Sequence, residues 1–238
     1  MNYKLENKLS EEISLLFGNR IVCLLYYGSN AFNKDINSDY SDYDFCLVLD
    51  KYDSKDLINL KKIISKYNRI DITLHSLFDL ELIGWSNFQH GNHGEFFLLH
   101  LANSKIILGN NIFQRKLSII DYSNIKKSIK TQIIEYFWRL DHWYFTVKNE
   151  NELNIKFKKY LIRILQDILL YKGDISFFEI NTINSQEFID NWIDDKNYIS
   201  IETKKSLMKI NQNSYKVEYY VYLKTLIYND FRNTILLE

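Results

Sequence analysis

The sequence contains no proline at all, in a chain of 238 residues where about 5% would be ordinary. That absence excludes a polyproline ligand segment, a Pro-rich linker and any step that depends on a cis X-Pro bond. Glycine is nearly as scarce, at seven residues, so Gly-rich tethers are excluded too. The two cysteines, Cys23 and Cys46, stand in apolar runs. They read as buried free thiols of a reducing compartment rather than as a disulfide or a zinc site. An excess of either charge is missing as well, with 30 Lys and Arg against 30 Asp and Glu. Gripping long duplex nucleic acid needs a cationic surplus, so long nucleic acid is disfavoured as a partner while a nucleotide is not. No apolar run approaches the roughly 18 to 20 residues that span a bilayer, and the N-terminal MNYKLENKLSEEI is charged. A cytoplasmic protein with no membrane partner is the expectation. What remains is an ordinary globular composition, 46% apolar and 25% charged with 16% aromatics, long enough for one or two domains with cores of their own.

Apolar residues at Leu5, Leu9, Ile13, Leu16 and Phe17 recur at helical spacing, and Gly18 supplies a stop. RIVCLLYY over 20–27 reads as a buried strand, 28–41 as a polar loop, and DYDFCLVL over 42–49 as a second strand. Asp53 or Ser54 caps a helix running to about Asn68, and RIDITLH over 69–75 alternates polar and apolar like a half-buried strand. Local pattern weakens over 76–103, after which KIILG at 105–109 suits one more short strand. Beyond residue 118 the texture is helical, over 121–148, 152–172, 185–196 and 201–230. The expected fold class is therefore α+β: a mixed sheet flanked by helices in 1–117, then an all-helical domain in 118–238. With no proline or glycine tether, a rigid cleft is the expected place for a second substrate.

The informative stretch is YYGSNAFNKDINSDYSDYDFCLVLD, residues 26–50. An apolar strand runs into Gly28 and Ser29, twelve residues follow, and Asp42-Tyr43-Asp44 opens the next strand. Residues two apart on a strand share a face, so Asp42 and Asp44 present their carboxylates together while Tyr43, Phe45, Leu47 and Leu49 line the other side. Two adjacent carboxylates repel unless a cation joins them, and hard oxygen ligands suit Mg²⁺. A turn carrying Gly28 and Ser29 lets backbone N–H groups and a hydroxyl approach a phosphate.

The words Tyr27-Gly28-Ser29, the dozen residues and Asp42-Tyr43-Asp44-Phe45 resemble the signature of the DNA polymerase β-like nucleotidyltransferase superfamily. That family also carries a third carboxylate on a later strand of the same sheet, and Asp71 in Arg69-Ile70-Asp71-Ile72-Thr73 matches it. The resemblance is specific over about 20–75 and architectural beyond. It departs at Asn30, Ala31, Phe32 and Asn33, where many members place an Arg and a Gly, and at Tyr43, which replaces an aliphatic residue.

The resemblance implies a transfer of a nucleoside monophosphate from an NTP, ATP being the one expected, to a hydroxyl, with pyrophosphate leaving. It implies two Mg²⁺ ions held by Asp42, Asp44 and Asp71, and phosphates held by Gly28, Ser29 and Ser41. A catalytic half followed by helices is similar to the kanamycin-type antibiotic nucleotidyltransferases, so the implied acceptor is a small molecule such as an aminoglycoside. Glu135, in TQIIEYFWRLDHWYF, is the candidate general base, although a helix Glu four residues before Arg139 also reads as a surface pair. His90 and His93 make a weak metal case without a third ligand nearby. The run Phe137, Trp138, Trp143, Tyr144, Phe145 reads as helical core. The other reading is a minimal-nucleotidyltransferase-like protein that modifies or binds a partner protein, as in toxin–antitoxin pairs. A homodimer is compatible with either.

Neutrality conceals a segregation. Residues 35–56 hold seven Asp and two Lys, and residues 116–172 hold eleven Lys and Arg against six Asp and Glu. The split suits an acidic metal-collecting edge and a helical region offering cations to phosphate, and it equally suits lysines that are simply solvated.

Overall fold

The computed structural model describes residues 2–28, 31, 43–83, 94–119, 122–182, 185–210 and 216–236. Internal contacts divide the chain into two compact units, Met1–Ser128 and Ile129–Glu238.

The first unit opens with helix α1 (Asn2–Phe17) and strand β1 (Ile21–Tyr27), followed by β2 (Tyr43–Leu49), α2 (Ser54–Ile64) and β3 (Ile70–Ser76). Then come α3 (Leu77–Ile83), α4 (Gly94–Ala102) and β4 (Lys105–Gly109). The four strands lie in the order β3-β2-β1-β4. β1 is antiparallel to β2 and to β4, whereas β2 and β3 are parallel. A parallel neighbour requires a crossover, and α2 supplies it. Asp53 caps α2 by accepting from the N–H groups of Lys55 at 2.8 Å and Asp56 at 3.0 Å, and Asp56 returns a bond to Asp53 N–H at 3.1 Å. Arg20 grips Asp56 in a bidentate pair at 2.7 and 2.9 Å, fastening the helix start to the entry of β1. Two carboxylates of the acidic stretch thus serve helix α2 rather than a metal.

Both faces of the sheet are covered, which explains why β1 and β2 read as near-continuous apolar runs. Leu9, Ile13 and Phe17 of α1 and Leu60 and Ile63 of α2 pack on Leu24, Tyr26, Phe45, Leu47 and Leu49. On the opposite face Leu80 of α3 and Phe97, Leu98 and Leu101 of α4 pack on Cys23, Leu25, Cys46 and Val48. Both cysteines are buried free thiols, and burial pushes the Cys23 thiol up to about 12 and that of Cys46 well above its ordinary value. The weakly patterned stretch therefore contains two helices that periodicity did not reveal. The cause lies in α4, whose GEFFLLHLA is apolar on most sides and so carries no amphipathic period.

The second unit is helical: the bulk of α5 (Tyr122–Thr146), then α6 (Glu150–Lys172), α7 (Phe177–Thr182), α8 (Ser185–Trp192), α9 (Ile201–Leu207) and α10 (Val217–Leu236). Asn149 caps α6 by accepting from Glu152 N–H at 3.1 Å. At the other end Gly173, at φ +79, lets Asp174 N–H reach back to Leu169 O at 2.9 Å. Inside the unit Gln132 donates to Asp167 at 2.8 Å, both side chains being buried. The α+β class is the one expected, but the single helix anticipated over 201–230 is two. α9 ends in tight turns in which Lys209 and Ile210 bond back to Ser206 and Leu207. The intervening Asn211-Gln212-Asn213-Ser214 is rich in side chains that compete for backbone hydrogen bonds and disfavour helix interiors.

The aromatic run of α5 is corrected in part. Ile125, Ile129, Ile133, Tyr136, Phe137 and Leu140 form the buried stripe, whereas Trp138 is 67% and Phe145 81% exposed. Only Phe137 of that run is core, because Trp138 and Phe145 fall roughly 150–170° around the helix from the centre of the stripe.

Candidate active site

The candidate site lies at one end of the sheet in the first unit. β1 delivers Gly28 immediately after Tyr27, β2 delivers Asp44, and β3 delivers Asp71. The strand registers place Tyr27 opposite Asp44 and Asp44 opposite Asp71. Facing residues of adjacent strands point the same way, so the two carboxylates stand on one face, on strands spaced by about 4.8 Å. The pairing extends to the strand entrance, where Tyr43 N–H donates to Arg69 O at 2.7 Å. Phe45, Leu47 and Leu49 on β2 and the half-buried Ile70, Ile72 and Leu74 on β3 pack on the opposite face. A slip by one residue would carry either aspartate into the core, so the apolar alternation fixes where the carboxylates point.

Gly28 has φ +76, and a Cβ there would strike Asp44 Oδ2 and lie 3.1 Å from Asp44 Cγ. The glycine is required on two counts, the left-handed backbone and the carboxylate lying against its α-carbon. Just beyond, Ala31 N–H donates to Gly28 O at 3.3 Å. Beneath the carboxylates, the Tyr27 hydroxyl bonds Thr73 Oγ1 at 3.2 Å, and its ring meets Phe97 edge-on at 5.5 Å. Burial, together with the negative charge of Asp44 and Asp71, holds the Tyr27 hydroxyl well above its usual range against the lowering effect of its bond to Thr73.

Of the residues singled out from sequence, Gly28, Asp44 and Asp71 are brought together. Ser29, Ser41 and Asp42 lie outside the described residues, as do His90 and His93. Glu135 belongs to the second unit, half-buried on α5. Two residues on the carboxylate side of the sheet were assigned no role from sequence, Thr73 and Phe97. Thr73 had a signal, since it stands two residues after Asp71 on an alternating strand and shares its face. Phe97 had none in local pattern.

The donor set fits a hard divalent cation. Two aspartates on neighbouring strands supply oxygens of the kind Mg²⁺ prefers, and the cradle beside Asp44 is one that any side chain at position 28 would fill. Among the described residues no three His, Cys, Asp or Glu side chains converge, the third carboxylate of the motif, Asp42, lying outside them. No helix among the described residues is long and apolar enough to cross a membrane.

No family model and no curated protein sequence matches the chain. Among solved structures it is similar to a spectinomycin adenyltransferase from Enterococcus faecialis determined with ATP and spectinomycin. The TM-score is 0.57 at 14% identity, over 94% of this chain and 98% of that one. At that identity the likeness establishes a shared fold.

Proposed function

We propose that the chain is a nucleotidyltransferase that moves a nucleoside monophosphate, AMP by preference, from an NTP to a hydroxyl of a small-molecule acceptor of the aminoglycoside class, releasing pyrophosphate. The observation that carries this reading is the in-register pair Asp44 and Asp71, set on one face beside the positive-φ turn at Gly28. The shared fold supports it, since the similar adenyltransferase was solved with ATP and spectinomycin. That likeness spans 94% of this chain, helical unit included, which favours a self-contained enzyme over a protein that modifies or binds a partner. The proposed setting is the cytoplasm.

Asp44 and Asp71, with Asp42, would hold Mg²⁺. Bound there, the metal supplies charge neutralisation at the triphosphate and acidifies the acceptor hydroxyl. The remaining roles fall to this chain's own groups. Gly28 leaves the main chain bare for close approach of a phosphate, and Ser29 and Ser41 are the proposed hydroxyl donors to the same oxygens. Asp44 is oriented by its contact with the Gly28 α-carbon, so its carboxylate is placed before substrate arrives. Glu135 is the proposed acceptor of the hydroxyl proton.

The test incubates the purified protein with Mg²⁺ and each labelled NTP against spectinomycin, an aminoglycoside panel and a cell lysate. A labelled small-molecule product formed with ATP is expected. A labelled protein band without a small-molecule product would overturn this reading in favour of the partner-directed one.

A further inference from the structure

The sheet offers a connection that the carboxylate motif does not include. Tyr27 on β1 and Thr73 on β3 are not on adjacent strands, because β2 runs between them. Their hydroxyls nevertheless meet at 3.2 Å. Tyr27 faces Asp44 in the β1–β2 register, while Thr73 faces Cys46, one step further along β2 on the same side. The bond therefore crosses β2 diagonally, over the backbone that carries Asp44 and just below Asp71. The Tyr27 ring is steadied from the other side by Phe97 of α4 at 5.5 Å, so the hydroxyl has a fixed origin. The bond also closes on β3, an edge strand that has β2 as its one sheet neighbour among the described strands.

We infer that Tyr27 and Thr73 act as a positioning clasp that holds the β3 carboxylate, Asp71, at a fixed spacing from Asp44 and so sets the affinity of the pair for a divalent cation. The inference rests on the nucleotidyltransferase reading of the same carboxylates. Three properties support it. The link joins β1 to β3 through Tyr27 and Thr73 rather than through the carboxylates themselves. It uses hydroxyl groups, which restrain geometry without adding charge to a site already carrying two negative side chains. The edge-on contact of the Tyr27 ring with Phe97 also restrains the tyrosine from which the link starts. Groups bonded directly to metal-binding side chains account for about 10- to 100-fold in affinity, and a link one step further out is expected at the lower end of that range.

The experiment titrates Mn²⁺ into the nucleotide-free full-length protein, read by electron paramagnetic resonance, with thermal unfolding measured on each variant. Tyr27→Phe keeps the ring and its contact with Phe97, and Thr73→Val keeps the volume of Thr73. Each is expected to weaken Mn²⁺ binding about tenfold, the double variant no more than either single one, with Thr73→Ser retaining wild-type affinity. The metal dependence of nucleotidyl transfer should shift to higher Mg²⁺ in the same variants and recover at saturation. Unchanged Mn²⁺ affinity in Tyr27→Phe and Thr73→Val, with the wild type binding normally, would overturn the clasp and leave the site reading standing. Additive losses in the double variant would overturn it too. Failure of the wild-type protein to bind Mn²⁺ at all would overturn the site reading, and the clasp with it.

Discussion

Replacing Gly28 by alanine isolates what the β1 terminus contributes. Two costs arise. An alanine at φ +76 occupies the left-handed region at about 1 kcal/mol relative to glycine. Its Cβ would also collide with Asp44 Oδ2. That oxygen is the far end of a short side chain, so the cheaper response is rotation of the carboxylate, at about 0.5–1.5 kcal/mol. The stability loss should therefore be modest, about 2 kcal/mol, or a fall in Tm of about 4–8 °C for a chain of this size. The functional loss should be much larger, because the group that rotates away is a proposed metal ligand. A misplacement of about 1 Å at a reacting site costs about 100-fold, so pyrophosphate release should drop by about that factor or more. Performing the substitution in an Asp44→Ala background separates the two costs. With Oδ2 and Cγ removed, the nearest Asp44 atom left is its Cβ at 3.3 Å, so only the backbone cost of about 1 kcal/mol should remain. Urea unfolding of the four proteins and a pyrophosphate assay on Gly28→Ala decide the matter. A Gly28→Ala protein with full activity would refute the placement of Asp44 in the site. Equal destabilisation in both backgrounds would refute the collision.

Other perturbations probe the same argument from different sides. Asp71→Asn should abolish transfer while leaving Tm unchanged or slightly raised, since it relieves repulsion between facing carboxylates; calorimetry alongside the activity assay checks this. Arg20 holds the Asp56 carboxyl below its ordinary value, chiefly through their hydrogen bonds. A carboxyl lowered in the folded state stabilises fully above its unfolded value of about 3.9 and loses that contribution as pH falls through the folded value. Asp56→Asn should thus cost about 1–2 kcal/mol at neutral pH and flatten the acid limb of stability against pH. Gln132→Leu removes a buried donor from Asp167 and should cost about 1–3 kcal/mol in urea unfolding.

The strands were legible in sequence because their burial leaves a periodic trace. β3 alternates since one face is polar, and β1 and β2 are continuous since both faces are covered. Helices α3 and α4 were not legible, because an element apolar on most sides has no phase to read. The division of 201–230 was misread because the apolar residues of α9 and α10 were taken together as one helical run. At the site, Asp44, Asp71 and Gly28 were visible as residue types in order. The contact of Asp44 with the Gly28 α-carbon and the Tyr27–Thr73 bond depend on strand pairing across long separations, which one-dimensional pattern does not encode. Trp138 and Phe145 show the converse error, where aromatic character suggested core and the angular position on the helix placed them outside it.

The parallel pairing of β2 with β3 bears on how far such a sequence can drift. Ile72 and Leu74 touch neither carboxylate, yet their alternation decides which way Asp71 points. Substitutions among aliphatic residues at those positions preserve the phase, and changes in the length of the segment linking the strands are absorbed before the pairing begins. A lineage can therefore exchange most of its residues and keep the two aspartates side by side, provided the parity of the apolar positions survives. Likeness of fold at 14% identity is the outcome such a parity rule would leave behind.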